Sequence, residues 1–142
     1  MTPAAVRTFA LILGIVFVVV GIAGFIPAFV VAPATDAGLA LDHGHGRLFG
    51  LFPVNWLHNL VHLAFGVWGL VASRGFGGAR GYARAVAVIY AVLAVMGLIP
   101  VLRTTFGLIP LYGHDIWLHF AIAAVAAVFG FMRVSNGTTA RP

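Results

Sequence analysis

Four stretches of this chain, 9–31, 54–73, 83–102 and 116–134, are apolar for about as long as a helix needs to cross a bilayer core, roughly 20 residues at about 1.5 Å each. In lipid every backbone N–H and C=O must be paired within the protein, so only helices and closed barrels span a membrane, and segments of this length select helices. The expectation is a single domain of 142 residues, an all-α membrane protein folded as a four-helix transmembrane bundle. Composition agrees, with 62% hydrophobic and 8% charged residues against about half and a quarter in soluble domains.

The net charge of +5 does not indicate nucleic acid, because the arginines are spread over short connections and form no stripe. Their distribution is topological. Arg7, Arg74, Arg80, Arg84, Arg133 and Arg141 fall on one side of the spans, whereas Arg47 and Arg103 share the other with Asp36, Asp42 and Asp115. The positive-inside rule then places both termini and the 74–84 connection in the cytoplasm. That connection, rich in glycine, reads as a flexible basic loop facing anionic lipid headgroups. The absence of lysine beside many Ala, Gly, Val and Arg suggests a GC-rich bacterial genome, and so a bacterial inner membrane. Ala32-Pro33-Ala34 resembles a signal-peptidase site, but the apolar run before it exceeds the usual 7–15 residues or so, and the segment is read as a span.

Several landmarks occur twice. Gly24-Phe25-Ile26-Pro27 ends the first span as Gly97-Leu98-Ile99-Pro100 ends the third, and Trp56-Leu57-His58 opens the second as Trp117-Leu118-His119 opens the fourth. Gly50-Leu51-Phe52-Pro53 and Gly107-Leu108-Ile109-Pro110 are a further echo. The pattern is that of a duplicated two-helix hairpin, the copies running parallel about an axis along the membrane normal. Pro27 predicts an early stop or kink, Pro53 suits the first turn of the second helix, and 32–50 is expected to be a flexible outward lid.

All six histidines lie towards the outward side, where ionisable groups at membrane depth are costly and call for a reason. In the second span Asn55, His58, Asn59 and His62 recur at three and four residues and so share one helix face. Asp115 and His119 have the same four-residue spacing in the fourth. If these faces meet, His58, His62, His119 and Asp115 supply three imidazoles and a carboxylate for zinc or copper, with Asn55, Asn59, Trp56 and Trp117 as supporting hydrogen-bond partners. The same histidines could ligate haem b between facing helices, or hydrogen-bond a quinone. The plainer use is hydrogen bonding between helices, at roughly 0.6–2 kcal/mol each. The lone His-x-x-x-His lacks the Glu of a metalloprotease, no hydrolytic set is present, and binding is expected in preference to catalysis. Arg103 and Asp115 are placed to pair. Beyond the lipid bilayer, the expected partners are a larger membrane complex, docked through a small-residue face that includes Ala126 and Gly130, or further copies of the chain.

The run Leu51-Phe52-Pro53-Val54-Asn55-Trp56-Leu57-His58-Asn59-Leu60-Val61-His62-Leu63-Ala64-Phe65-Gly66, followed later by Asp115-Ile116-Trp117-Leu118-His119, resembles a bacterial family of four-span membrane proteins known only as domain of unknown function 4383. The resemblance covers nearly the whole chain. It implies four spans and marks His58, Asn59, His62, Asp115, Trp117 and His119, but it supplies no reaction. His43, His45 and His114 fall outside the pattern of that family.

Overall fold

Lipid-compatible helices form wherever apolar runs are long, but where each begins and ends is decided by capping. The computed structural model describes residues 1–33 and 38–135; Ala34, Asp36 and Arg141, to which the sequence assigned places, lie outside the described residues. The four helices are α1 (Pro3–Ala23), α2 (Trp56–Ala72), α3 (Phe76–Leu98) and α4 (His114–Phe131). Three are long and apolar enough to cross a membrane, and α2, at 17 residues, is a shorter apolar helix.

The boundaries depart from the expected spans. The first helix starts at Pro3, where Thr2 Oγ1 accepts the Ala5 N–H, and stops at Ala23; Pro27–Phe29 form a 3-10 turn instead of continuing it. The third starts at Phe76, so the basic glycine loop expected over 74–84 is mostly helix. Only Ser73, Arg74 and Gly75 connect α2 to α3. Gly78 allows this tight turn, since a Cβ there would lie 3.0 Å from the Ala72 carbonyl oxygen.

Two antiparallel hairpins, α1/α2 and α3/α4, carry most of the helix packing. In the first, Gly14 meets α2 backbone to backbone, a Cβ falling 2.8 Å from Leu70 N and 2.9 Å from the Gly66 carbonyl oxygen. In the second, Gly130 lies against Arg84, whose backbone N would be 3.0 Å from an added Cβ. Small residues let helix backbones approach in lipid, where dispersion replaces the hydrophobic effect as the driving force. At the arginine-rich end, each hairpin's first helix satisfies the terminal carbonyls of its second. Arg7 Nε donates to Ser73 O at 2.9 Å, while Arg80 Nε and Arg84 Nε donate to Gly130 O at 3.1 and 2.9 Å. Cations there complement the negative end of the helix dipole.

The correspondence between the two hairpins extends beyond the sequence landmarks. At the separation that relates Gly24 to Gly97, the buried positions Val6, Ala10, Gly14, Phe17 and Gly21 of α1 correspond to Ala79, Ala83, Ala87, Tyr90 and Ala94 of α3, all buried. Arg7 corresponds to Arg80. Ile26 and Ile99, each before a proline that opens a 3-10 turn, share almost the same backbone conformation, φ −93 and ψ 112 against φ −92 and ψ 115.

The far end of the bundle is closed by a cap in which, among the described residues, strands form over part of the expected lid. Strands β1 (Val30–Val31), β2 (Gly46–Leu48) and β3 (Phe52–Val54) form a small antiparallel sheet in that order, pairing Val30 with Leu48 and Arg47 with Pro53. The mostly helical fold therefore carries a β element, and Pro53 lies in β3 rather than in the first turn of α2. Phe49-Gly50 and Phe106-Gly107, the repeated echo, both turn through positive φ, 52 and 74 against 60 and 85. The two connections interlock: Gly107 O accepts the Ala40 and Leu41 N–H groups at 2.8 and 3.2 Å.

Candidate functional site

The start of α2 is set by Asn55, fully buried, whose Oδ1 accepts the His58 N–H at 2.8 Å as an N-cap. Its Nδ2 donates to Leu41 O at 2.8 Å and Leu108 O at 2.7 Å, so one side chain fastens both outer connections to the helix. One turn in, the buried His58 ring places Nδ1 3.2 Å from Pro53 O. A carbonyl only accepts, so Nδ1 carries the proton and Nε2 keeps its lone pair.

The same device recurs on α4. His119 Nδ1 donates to the Asp115 carbonyl at 2.7 Å, which again frees Nε2. That proton is then spent, so Asp115 Oδ2, 3.3 Å from the same nitrogen, is buried without a hydrogen bond. Asp115 lies in the first turn of α4, where the helix dipole favours a carboxylate.

Helix pairing brings these groups together. His58, Asp115 and His119, each at most 4% exposed, offer ligand atoms that all lie within 4.8 Å of one another. His62 is not part of that trio. It stacks on His58 at 4.5 Å between ring centroids and on Phe17 at 5.7 Å, and its Nδ1 is buried without a partner. Tyr90 stacks on His119 at 4.8 Å and on Phe17 at 5.5 Å, flooring the site with aromatic rings. Sequence reasoning missed Phe17 at the site; its equivalence to Tyr90 in the repeat is the signal that could have found it.

The remaining expected partners divide. Asn55 supports His58 through the helix start, as described. Asn59 is fully buried, but neither of its amide atoms has a hydrogen bond, and it packs against Gly24. Trp56 and Trp117 point away from the site, 49% and 66% exposed; Trp56 packs edge-on to His43 and Phe25, and Trp117 lies against Phe120. Asp115 lies beside His119, not in the expected pair with Arg103. Ala126 and Gly130 are buried inside the α3/α4 hairpin, so they form no free face for a partner. In the cap, His45 Nε2 is 2.9 Å from the Tyr112 hydroxyl, while His43 and His114 are exposed. Burial, partly offset by the Arg47 guanidinium, holds the Tyr112 phenol above its ordinary value.

Two cavities flank the histidines. One of about 220 Å³ lies between α1 and α4 and is bordered by His58, His62, Tyr90, Asp115 and His119. The other, about 190 Å³, lies between α2 and α3 and reaches His58, His62, Tyr90 and His119. They are counterparts under the repeat: Val16, Phe17 and Val20 wall the first where Ile89, Tyr90 and Leu93 wall the second, with Ile122 answering Val61. Chemically, two neutral imidazoles with their N–H groups anchored and one carboxylate make a donor set of lone pairs. Such a set suits a cation.

A family model described as Domain of unknown function (DUF4383) matches residues 7–132. No curated protein and no solved structure matches the chain.

Proposed function

The chain belongs to the family described as domain of unknown function 4383, and we propose that it is a membrane metal-binding protein holding one zinc or copper ion on His58, Asp115 and His119. The observation that carries this reading is the convergence of three buried residues whose ligand atoms all lie within 4.8 Å of one another; on both imidazoles Nδ1 also meets a backbone carbonyl. That arrangement is the usual outer support of a histidine ligand, since it sets the tautomer and raises basicity. Bonds near 2.0–2.1 Å put neighbouring donors of a tetrahedral zinc centre about 3.3 Å apart, which small side-chain rotations supply. Three protein ligands leave a fourth position open, as in zinc sites that exchange a water or substrate.

Both cavities are smaller than the roughly 300–1,000 Å³ of ordinary cofactor sites, which favours an ion over haem b. The arginine-rich end, bearing Arg7, Arg74, Arg80, Arg84 and Arg133, is taken as cytoplasmic in a bacterial inner membrane, which turns the capped site outward.

Elemental analysis of detergent-purified protein tests the reading. About one zinc or copper per chain is expected, lost in His58→Ala and His119→Ala but kept in His62→Ala, with helicity by circular dichroism unchanged in all three. Wild-type protein that stays metal-free after loading sinks it. A Soret band in the absorbance spectrum would transfer the histidines to haem.

A further inference from the structure

At the arginine-rich end the two hairpins use their cations differently. In the second, both guanidiniums are committed: Arg80 donates from Nε to Gly130 O and from Nη2 to Met132 O, and Arg84 donates to Gly130 O and lies over the Phe131 ring. In the first, Arg7 gives its Nε to Ser73 O and keeps its other N–H groups, and the Arg74 guanidinium has no hydrogen bond or ion pair among the described residues. The separation that relates Arg7 to Arg80 puts Leu11 where the second hairpin has Arg84. Beside Leu11, between the start of α1 and the end of α2, lies an open cleft of about 320 Å³, lined also by Ala4, Arg7, Thr8, Ser73 and Arg74.

The charges of the cleft select an anion. Two guanidiniums line it, while Asp42 and Asp115, the acids among the described residues, belong to the capped end. Planar guanidinium groups bind phosphate oxygens through paired N–H donors. A zwitterionic headgroup would bring an amine that finds no carboxylate here, so a net negative charge is favoured. The wall indicates what the phosphate is attached to. Leu11 begins an exposed apolar track in which Ile15, Val19 and Ile22 follow at helical spacing on the same face of α1. Cleft and track are continuous through Leu11, so a phosphate in one and an acyl chain on the other fit a single molecule.

We infer that this cleft binds one anionic glycerophospholipid of the phosphatidylglycerol class, its phosphodiester on Arg7 and Arg74 with the Thr8 hydroxyl as a further donor, and an acyl chain along the Leu11 face of α1. Arginines at the headgroup level attract anionic lipid in general; the cleft makes this attraction a site with one occupant. It lies at the opposite end of the bundle from the histidines and is independent of the metal reading.

The test is native mass spectrometry of the full chain, purified in a non-ionic detergent and equilibrated with an equimolar mixture of phosphatidylglycerol and phosphatidylcholine. Retention of one phosphatidylglycerol per chain is expected, in at least fivefold preference over phosphatidylcholine. Arg74→Gln should lower it at least fivefold, and so should Thr8→Trp, which fills the cleft while keeping both guanidiniums. Arg133→Gln, which removes an exposed cation at the same end but outside the cleft, should leave it within twofold. Helicity by circular dichroism should be unchanged in all three; if Thr8→Trp unfolds, Ala4→Trp fills the cleft from the neighbouring turn. Absent or unselective retention overturns the inference. So does retention that survives Arg74→Gln or the tryptophan variant, or that falls equally in Arg133→Gln, because the arginines are then a general cationic surface. Displacement of the lipid by millimolar inorganic phosphate makes the ligand a free anion and overturns it as well.

Discussion

Asn55 concentrates three structural duties in one buried amide: it caps α2, and it fills the acceptors of two separate connections. Loss of an N-cap costs about 0.5–2 kcal/mol, and a buried carbonyl left without a donor about 1–3 kcal/mol. Asn55→Ala should therefore lower unfolding stability by at least about 2.5 kcal/mol in detergent denaturation. Asn55→Asp, which keeps the cap but turns a carboxylate oxygen towards Leu41 O and Leu108 O, should do no better. If Asp restores wild-type stability, the two loop bonds carry no weight. Gly24→Ala tests the same face of α2 one turn on: its Cβ would overlap the Asn59 amide, and overpacking of this kind costs about 1–3 kcal/mol. At this scale the sequence disclosed much. His58, His119 and Asp115 were legible because helical spacing fixes which positions share a face. The fates of His62, Trp56 and Trp117 were not, because neighbouring positions on one face diverge once the helix rotates against its partners.

Helix boundaries obey forces that a hydropathy window does not register. An apolar count runs the first span on to residue 31, but the chain leaves the helix at Gly24, and Pro27 opens a separate turn. At the opposite end, glycines that suggested a loop are drawn into α3 because Gly78 must pass close to Ala72. Packing overrides the helix penalty of glycine, about 1 kcal/mol per residue. The arginines, legible as topology markers, are also helix caps. Arg84→Ala removes the bond to Gly130 O and the guanidinium over the Phe131 ring. A loss of about 1–2 kcal/mol is expected. Because Arg80 shares that carbonyl, the double variant should lose more than the two singles together, which a double-mutant cycle in denaturant would measure.

For the molecule as a whole, the short α2 explains the cap. Seventeen residues at about 1.5 Å each span about 25 Å, less than a bilayer core of about 30 Å, and the non-helical backbone of the cap lies against the start of α2. Such backbone persists at membrane depth only when its polar groups are paired within the protein, as Gly107 O and Leu108 O are. The sequence reading assigned 32–50 flexibility from its glycines and had no means of seeing that its partners lie in a second connection far along the chain. Hydrogen exchange distinguishes the two views: Ala40, Phe49 and Leu111, whose amides donate at 2.6–2.8 Å, should exchange at least a hundredfold slower than unstructured peptide. Rapid exchange at all three would restore the flexible lid.

The duplication has a last consequence. At the separation relating His58 to His119, His62 answers Ala123 and Asp115 answers Val54. Two identical hairpins would present any guest with two equivalent poses, related by a half-turn. In this chain the two halves differ at those two places, and the chamber has a front and a back.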